Sequence, residues 1–304
     1  MDLPKRVTVC EVAPRDGLQS EKPVSTETKI KFVDLLTAAG LKVVELTSFV
    51  HPKLVPQMAD AEEVISGVQA PPGVLYRGLA LNPKGVERAV KSGVAQVKVG
   101  VSATDAHSQE NAHCTTRQAV ESIGVMAEMA ARANLPIAGG IAVAFWCPYE
   151  GAVPIERLEE ICAEYQRMHM IEINLSDTAG MTNPKHVYET VVHLRSRFPD
   201  LKFGLHVHDT YGTGLANVLA ALEAGIERFD ASAGGLGGCP FIPHASGNIA
   251  TEDLVYMLDG MGIETGVDLD KLLQAAEYIE GALGHTLYSH TYQARKSSCS
   301  LSSG

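Results

Sequence analysis

Short runs rich in valine, leucine, isoleucine and phenylalanine alternate with longer amphipathic runs along the whole chain. Short apolar runs are typical of buried strands, and an apolar position every three or four residues is typical of helices. Eight runs predict strands, at 7–12, 43–48, 75–81, 96–102, 137–145, 172–176, 203–207 and 228–232. Helices are predicted between them, for example at 26–39, 83–92, 115–133, 154–168, 184–197 and 213–224.

Residues typical of helix boundaries support this alternation. Ser25 begins a Ser-Thr-Glu-Thr sequence that resembles a capping box, and Pro184 stands where a first helical turn tolerates proline. Gly40, Gly93 and Gly225 each follow the end of a predicted helix.

Eight successive β-then-α units predict a parallel sheet whose strands are joined by crossover helices. A closed (β/α)8 TIM barrel needs ~250 residues, and this chain of 304 has room for an extra C-terminal helix at 269–283. The alternative is an open doubly wound sheet, but Pro-Arg-Asp-Gly at 14–17 replaces the glycine-rich dinucleotide loop which that fold needs. We expect a single barrel domain over residues 1–285 and a loosely ordered tail over 286–304.

The charge balance argues against two classes of function. The chain has 25 Lys and Arg against 36 Asp and Glu, a net charge of −11, so it should repel nucleic-acid phosphates and anionic lipids. No apolar run reaches the ~18 residues of a membrane span, and the N-terminus leaves no room for a secretory signal. Six scattered cysteines without a CxxC pair indicate reduced thiols. We expect a cytoplasmic protein with no nucleic-acid or membrane partner.

Two histidines lie at period two near the end of the seventh predicted strand. His206 and His208 therefore point to one face, and Leu205 and Val207 to the other. Because functional residues of a barrel gather at the C-terminal ends of its strands, the paired imidazoles predict a metal site. The alternative is a buried polar pair that bonds to neighbouring loops.

The first predicted strand ends in Arg15 and Asp16. Since the first and seventh strands end on one rim, Asp16 could bind the same metal, and Arg15 could hold a developing oxyanion. A local salt bridge, or a turn carboxylate that caps Gly17, is the alternative. A mixed set of His, His, Asp and an amide oxygen suits Mg²⁺ or Mn²⁺ better than a thiolate-bound zinc.

A glycine-rich loop follows the eighth predicted strand, with glycines at 234, 235, 237 and 238. Glycine permits unusual backbone conformations and a close approach to a ligand, so we expect a mobile lid. Cys239 is interpreted as a reactive group, because a structural cysteine would lie inside an apolar strand or helix. Asn248 either caps the helix that begins near Thr251 or turns its oxygen toward the metal.

Two further carboxylates lie at strand ends. Glu45 interrupts an apolar strand, and an ion pair with Arg15 would compensate its burial. Asp177 could accept a hydrogen bond from His206 or from a substrate hydroxyl, or it could be a plain turn residue.

Six stretches at these strand ends together resemble the hydroxymethylglutaryl-CoA lyases, divalent-metal (β/α)8 enzymes that cleave 3-hydroxy-3-methylglutaryl-CoA to acetyl-CoA and acetoacetate. The resemblance runs from about residue 9 to residue 283, with the motifs in family order. They read EVAPRDGLQ at 11–19, ELTSFV at 45–50, CPYEG at 147–151, HVHDTYG at 206–212, GLGGCP at 235–240 and ASGN at 245–248.

The resemblance implies that Mg²⁺ or Mn²⁺ is bound by Asp16, His206, His208 and Asn248. It implies active-site roles for Arg15, Glu45, Asp177, His206 and Cys239. Retro-Claisen cleavage leaves a thioester enolate, which Arg15 would stabilise and Cys239 would protonate. His206 or Asp177 would relay the proton of the substrate alcohol.

Several positions depart from the usual lyase pattern, among them Leu46, His51 and His244. The acyl pocket could therefore fit another 3-hydroxyacyl-CoA, of the citramalyl-CoA or methylmalyl-CoA type. A Claisen synthase is less favoured, because such chains usually carry a long C-terminal accessory region. A metal-binding barrel without catalysis would have no need of a reactive cysteine.

Two expectations concern partners. The substrate is an acyl-CoA, whose coenzyme A moiety would meet basic side chains or backbone N–H groups near the rim. The chain is expected to form a homo-oligomer, a dimer or a tetramer.

Overall fold

The computed structural model describes residues 3–170, 172–238 and 247–301 of the chain. Its barrel strands are β1 (Thr8–Glu11), β2 (Val43–Ser48), β3 (Leu75–Leu79), β4 (Gln96–Ser102), β5 (Ile137–Ala142), β6 (Glu172–Asp177), β7 (Lys202–Val207) and β8 (Arg228–Ala231). All neighbouring strands are parallel, and they close into a barrel in the order β1, β8, β7, β6, β5, β4, β3, β2. The eight predicted strands and the (β/α)8 TIM barrel are confirmed.

The helices follow the strands along the chain. They are α1 (Thr26–Ala38), α2 (Ala61–Gly67), α3 (Pro83–Ser92), α4 (Asp105–Ala112), α5 (Thr116–Arg132), α6 (Ile155–Arg167), α7 (Pro184–Arg197), α8 (Gly214–Glu223), α9 (Thr251–Gly260), α10 (Leu269–Leu283) and α11 (His290–Leu301). The predicted C-terminal helix is confirmed as α10. None of the described helices has the length and apolar character needed to cross a membrane.

Beyond α10 the chain continues into a further helix, α11. Tyr292 is buried, and α11 begins at His290. Asp253 of α9 caps α11, because its carboxylate accepts the N–H groups of His290 and Thr291 at 3.0 and 2.7 Å. The capping residue lies 38 positions before Thr291, so the cap depends on how the chain folds.

The centre of the barrel is charged rather than apolar. Arg77 of β3 is buried and lies 3.0 Å from Glu45, 3.1 Å from Glu172 and 3.1 Å from Asp230. Lys98 of β4 lies 3.0 Å from Asp230 and 3.5 Å from Glu45. Each of these carboxylates therefore faces a cation, which offsets the desolvation that burial of a charge costs.

Candidate active site

Arg15 and Asp16 lie in a tight π-helical turn, Ala13–Gly17, at the C-terminal end of β1. The N–H groups of Arg15, Asp16 and Gly17 all donate to the carbonyl oxygen of Val12, at 3.1, 2.7 and 3.2 Å. Three hydrogen bonds to one acceptor hold this backbone in place. The turn thereby presents both side chains at the rim where the strands end.

Asp16, His206 and His208 form one cluster at this rim. One ligand atom from each residue lies within 4.8 Å of the other two. The Nε2 atoms of His206 and His208 are 3.2 Å apart, as expected for a histidine near the end of β7 and another two positions later in the extended chain that follows. Burial and the neighbouring His206 lower the pKa of His208 to about 3, so that ring is neutral at physiological pH.

Asn248 completes the cluster from the segment before α9. Its Nδ2 atom donates to Asp16 Oδ2 at 2.7 Å and to the carbonyl oxygen of Leu236 at 3.1 Å. The helix-capping alternative is wrong, because α9 has Ala250 at its N-cap position and no side chain caps it. Gly237 permits this arrangement, since a Cβ atom there would lie 2.5 Å from Asn248 Nδ2.

The residues present fit a divalent cation. Within the described part of the chain, His208 Nδ1 and Asn248 Oδ1 are buried polar atoms without a hydrogen-bond partner. Burial alone would raise the pKa of Asp16, but Arg15 and the two histidines hold it well below its usual range. An ionised carboxylate, imidazole nitrogens and an amide oxygen are ligands suited to a divalent cation.

The expected ion pair between Arg15 and Glu45 is present. Arg15 Nε donates to Glu45 Oε1 at 2.5 Å, and Arg15 Nη1 donates to Asp16 Oδ1 at 2.5 Å. Burial alone would raise the pKa of Glu45, but Arg15, Lys98 and Arg77 lower it to about 2. The guanidinium is therefore fixed between two ionised carboxylates at the edge of the candidate metal site.

Asp177 lies at the end of β6 and holds a turn. Its carboxylate accepts the N–H groups of Met181 and Thr182 at 3.1 and 3.2 Å, as the turn-residue alternative predicts. Burial raises the pKa of Asp177 to about 6, although these N–H groups and His206 act in the opposite direction. A carboxyl group with such a pKa can both lose and accept a proton near neutral pH.

Cys239 and the expected lid lie outside the described residues. The loop is described up to Gly238, whose N–H donates to Ser20 Oγ at 3.0 Å, and again from Gly247. Of the eight residues proposed as site residues, the structure brings together Arg15, Asp16, Glu45, His206, His208 and Asn248, and it places Asp177 nearby.

Asp230 lies at the candidate site although the sequence pattern did not predict it there. Its buried Oδ2 lies 3.4 Å from His206 Nδ1, 2.6 Å from Asn174 Nδ2 and 3.0 Å from Lys98 Nζ. It stands behind His206 as a carboxylate behind a metal-binding histidine commonly does. The sequence did contain a signal for Asp230, because it is a charged residue inside an apolar strand, as Glu45 is.

Comparison with known proteins adds a family assignment to this geometry. A family model described as HMGL-like matches residues 6–279. The hydroxymethylglutaryl-CoA lyase YngG of Bacillus subtilis is 44% identical over 299 residues, which are 98% of this chain and 100% of that protein. The mitochondrial hydroxymethylglutaryl-CoA lyase of Homo sapiens is 44% identical over 293 residues, 96% of this chain and 90% of that protein.

Solved structures agree with the sequence comparison. The HMG-CoA lyase of Bacillus subtilis has a TM-score of 0.95 and 43% identity, and the match covers 97% of this chain and 100% of that one. The HMG-CoA lyase of Acinetobacter baumannii, solved in complex with coenzyme A and 3-methylmalate, has a TM-score of 0.91 and 40% identity, with 95% of each chain covered.

Proposed function

Because this chain belongs to the HMGL-like family and is a carbon–carbon lyase of the hydroxymethylglutaryl-CoA lyase type, we propose how its residues cleave 3-hydroxy-3-methylglutaryl-CoA to acetyl-CoA and acetoacetate. The observation that carries the proposal is the Asp16, His206 and His208 cluster beside a fixed arginine, in a chain 44% identical to lyases over nearly its full length.

A divalent cation, Mg²⁺ or Mn²⁺, would be held by Asp16, His206, His208 and Asn248. When bound, such a cation polarises substrate oxygens and lowers the pKa of a hydroxyl group. The chain's own contribution is a donor set that needs little rearrangement, because the neutral His208 ring and the ionised Asp16 are already in their binding forms.

Arg15 supplies the charge that the bond cleavage requires. Loss of the C3 hydroxyl proton forms the ketone, breaks the C2–C3 bond and leaves the electron pair on the thioester as an enolate. An arginine has five N–H donors, and within the described residues Glu45 engages Nε and Nη2 while Asp16 engages Nη1. The remaining donors would stabilise the enolate oxygen.

Two proton transfers complete the reaction. His206 or Asp177 would accept the hydroxyl proton, and the raised pKa of Asp177 suits that role. Cys239 would donate a proton to the enolate carbon, which yields acetyl-CoA.

The test is an assay of the purified protein with Mg²⁺ and 3-hydroxy-3-methylglutaryl-CoA, with separate detection of acetyl-CoA and acetoacetate. Both products should form in equal amounts, and Cys239→Ala and His206→Ala should each lose nearly all activity. Full activity in both variants would contradict the proposed roles.

Leu46 and His51 depart from the usual lyase pattern, which supports a second candidate substrate, another 3-hydroxyacyl-CoA. A panel of 3-hydroxyacyl-CoA thioesters, including citramalyl-CoA and methylmalyl-CoA, distinguishes the two. A kcat/KM at least tenfold higher for another thioester would replace the proposed substrate while the reaction type stays the same.

We also propose a reducing compartment, the cytoplasm, and assembly into a dimer or tetramer. Cys10, Cys114, Cys147 and Cys162 are free thiols in the structure, which supports the first point. Light scattering of the purified protein measures the second.

A further inference from the structure

Glu11, the last residue of β1, is a fully buried carboxylate that the proposed reaction does not use. Its Oε1 atom accepts the N–H groups of Ala13 at 2.8 Å and of Ala233 at 2.9 Å. Its Oε2 atom accepts the hydroxyl of Thr251 at 2.8 Å. One side chain therefore joins three segments, and the farthest bonded residue, Thr251, is 240 positions from Glu11 in the sequence.

These segments lead directly to residues of the candidate metal site. Asp16 lies three residues after Ala13, in the same tight turn, and Asn248 lies three residues before Thr251. The side chains of Asp16 and Asn248 meet at 2.7 Å. Because both backbones are anchored to the same carboxylate, a shift of that carboxylate would change how these two side chains meet.

The third segment, which contains Ala233, brings the loop after β8 close to Asp16 and Asn248. Gly17 of the turn packs against this loop, since a Cβ atom on Gly17 would lie 2.8 Å from Leu236 Cβ. Leu236 in turn accepts the amide of Asn248 through its carbonyl oxygen. The bond from Ala233 to Glu11 therefore fixes the loop that supports Asn248.

The donors to Glu11 carry no formal charge. The carboxylates at the barrel centre face Arg77 and Lys98, whereas Glu11 is bound by two backbone N–H groups and one hydroxyl. Burial raises the pKa of Glu11 to about 7. A buried carboxyl group held in this way costs stability, so packing alone does not explain it.

We propose that Glu11 is a positioning residue that sets the relative placement of Asp16 and Asn248 and thereby the affinity for the divalent cation. This inference rests on the proposed metal-dependent function.

The test measures Mn²⁺ binding to the chelator-treated full-length protein, by electron paramagnetic resonance of free Mn²⁺ and by calorimetry without substrate. Glu11→Ala removes all three bonds and should weaken binding at least tenfold, the range found when groups that orient metal ligands are lost. Thr251→Val removes only the bond to Oε2 and should weaken binding less. Glu11→Gln keeps an acceptor for both N–H groups and a donor for the Thr251 oxygen, so its affinity should stay within about threefold of the wild type.

The control is Tyr165→Phe, which removes a buried hydrogen bond to the carbonyl oxygen of Gly140 on the outside of the barrel. It should lower stability without changing Mn²⁺ affinity. Equal Mn²⁺ affinity in wild type and Glu11→Ala would overturn the inference, and so would an equal loss in Tyr165→Phe. If Glu11→Ala does not fold, wild-type affinity in Thr251→Val overturns it.

An assay of 3-hydroxyacyl-CoA cleavage distinguishes a failure of this inference from a failure of the proposed function. A wild-type protein that binds Mn²⁺ but cleaves no 3-hydroxyacyl-CoA contradicts the function, while the ranking of Mn²⁺ affinities still decides the role of Glu11. A wild-type protein that binds no Mn²⁺ or Mg²⁺ contradicts both.

Discussion

At the scale of single residues, the candidate site depends on buried charges, each of which lies beside particular partners. Asp230 lies between Arg77, Lys98 and His206, and Glu45 lies between Arg77 and Arg15. Arg77 thus pairs both with Asp230, which lies behind the proposed metal ligand His206, and with Glu45, which holds the proposed catalytic residue Arg15. Removal of one charge from such a network leaves the partners buried and uncompensated.

The substitution Asp230→Asn tests how Asp230 is paired with its neighbours. The variant keeps the shape but loses the carboxylate behind His206, so we expect metal affinity to fall about 10- to 100-fold. We also expect a loss of about 3–5 kcal/mol in the free energy of unfolding, because Arg77 and Lys98 lose a buried partner. Calorimetry with Mn²⁺ and urea unfolding measure the two effects.

The matched control is Glu172→Gln, which also removes a partner of Arg77 but lies away from His206. It should reduce stability and leave metal affinity unchanged. Equal losses of Mn²⁺ affinity in both variants would mean that Asp230 acts only through the general charge balance.

At the scale of elements, the connections after β1 and β8 decide whether the site forms. Gly237 has φ +113° and packs against the Asn248 side chain, which no residue with a Cβ atom could do without displacing it. The backbone at Gly237 is therefore shaped by its contact with Asn248, a proposed metal ligand.

Gly237→Ala should displace the Asn248 amide and lower kcat at least tenfold. Gly212→Ala is the control, because Gly212 also has a positive φ (+73°) but no atom within 4 Å of the added Cβ. Steady-state assays of both variants separate the clash from backbone strain. Equal activities in the two would show that the contact with Asn248 does not matter.

The first turn of α9 contains a second buried carboxylate, Glu252, which accepts the N–H of Gly234 at 2.9 Å. Burial raises the pKa of Glu252 from 4.5 to about 8, because the hydrogen bonds do not compensate the lost hydration. The folded protein therefore retains a proton that the unfolded chain has already released. This contribution to stability is complete below pH 4.5 and is lost as pH rises through 8.

Glu252→Gln should remove that pH dependence. Urea unfolding between pH 5 and 9 should show wild-type stability falling relative to the variant as pH rises, by ~1.4 kcal/mol at most for each pH unit below the folded pKa. Parallel curves for the two proteins, or a wild type that gains stability with pH relative to the variant, would contradict the assignment.

At the scale of the whole molecule, the C-terminal segment is part of the barrel rather than an appendage. The N–H groups of Tyr288 and Ser289 donate to the carbonyl oxygen of Gly234 at 3.0 and 3.2 Å. Tyr292 is buried and its hydroxyl donates to Glu280 at 2.7 Å. Tyr288 and Ser289 thus attach the chain after α10 to the loop that follows β8.

Deletion of residues 285–304 should lower the free energy of unfolding by about 3 kcal/mol or more, the value expected for loss of the buried side chains of Leu287 and Tyr292. Tyr292→Phe keeps the ring and loses one hydrogen bond, so it should cost about 1 kcal/mol. Urea unfolding measures both. An unchanged unfolding midpoint in the truncated protein would show that the segment does not stabilise the barrel.

The sequence by itself determined the barrel and much of the site. Strand and helix periods depend on neighbouring residues, so the eight strands, the placement of Ser25 at the N-cap of α1 and the shared face of His206 and His208 could all be predicted. The order of the family motifs added Asn248 and the lyase assignment.

Only the tertiary structure decided which groups meet. The bond between Glu11 and Thr251 joins residues 240 positions apart, and the bond between Arg77 and Asp230 joins residues 153 positions apart. No local pattern encodes such pairs, because a buried charge is stable only beside a partner that the closed barrel brings to it. The charged barrel centre, the capped helix α11 and the direction of the Asn248 amide are therefore properties of the fold.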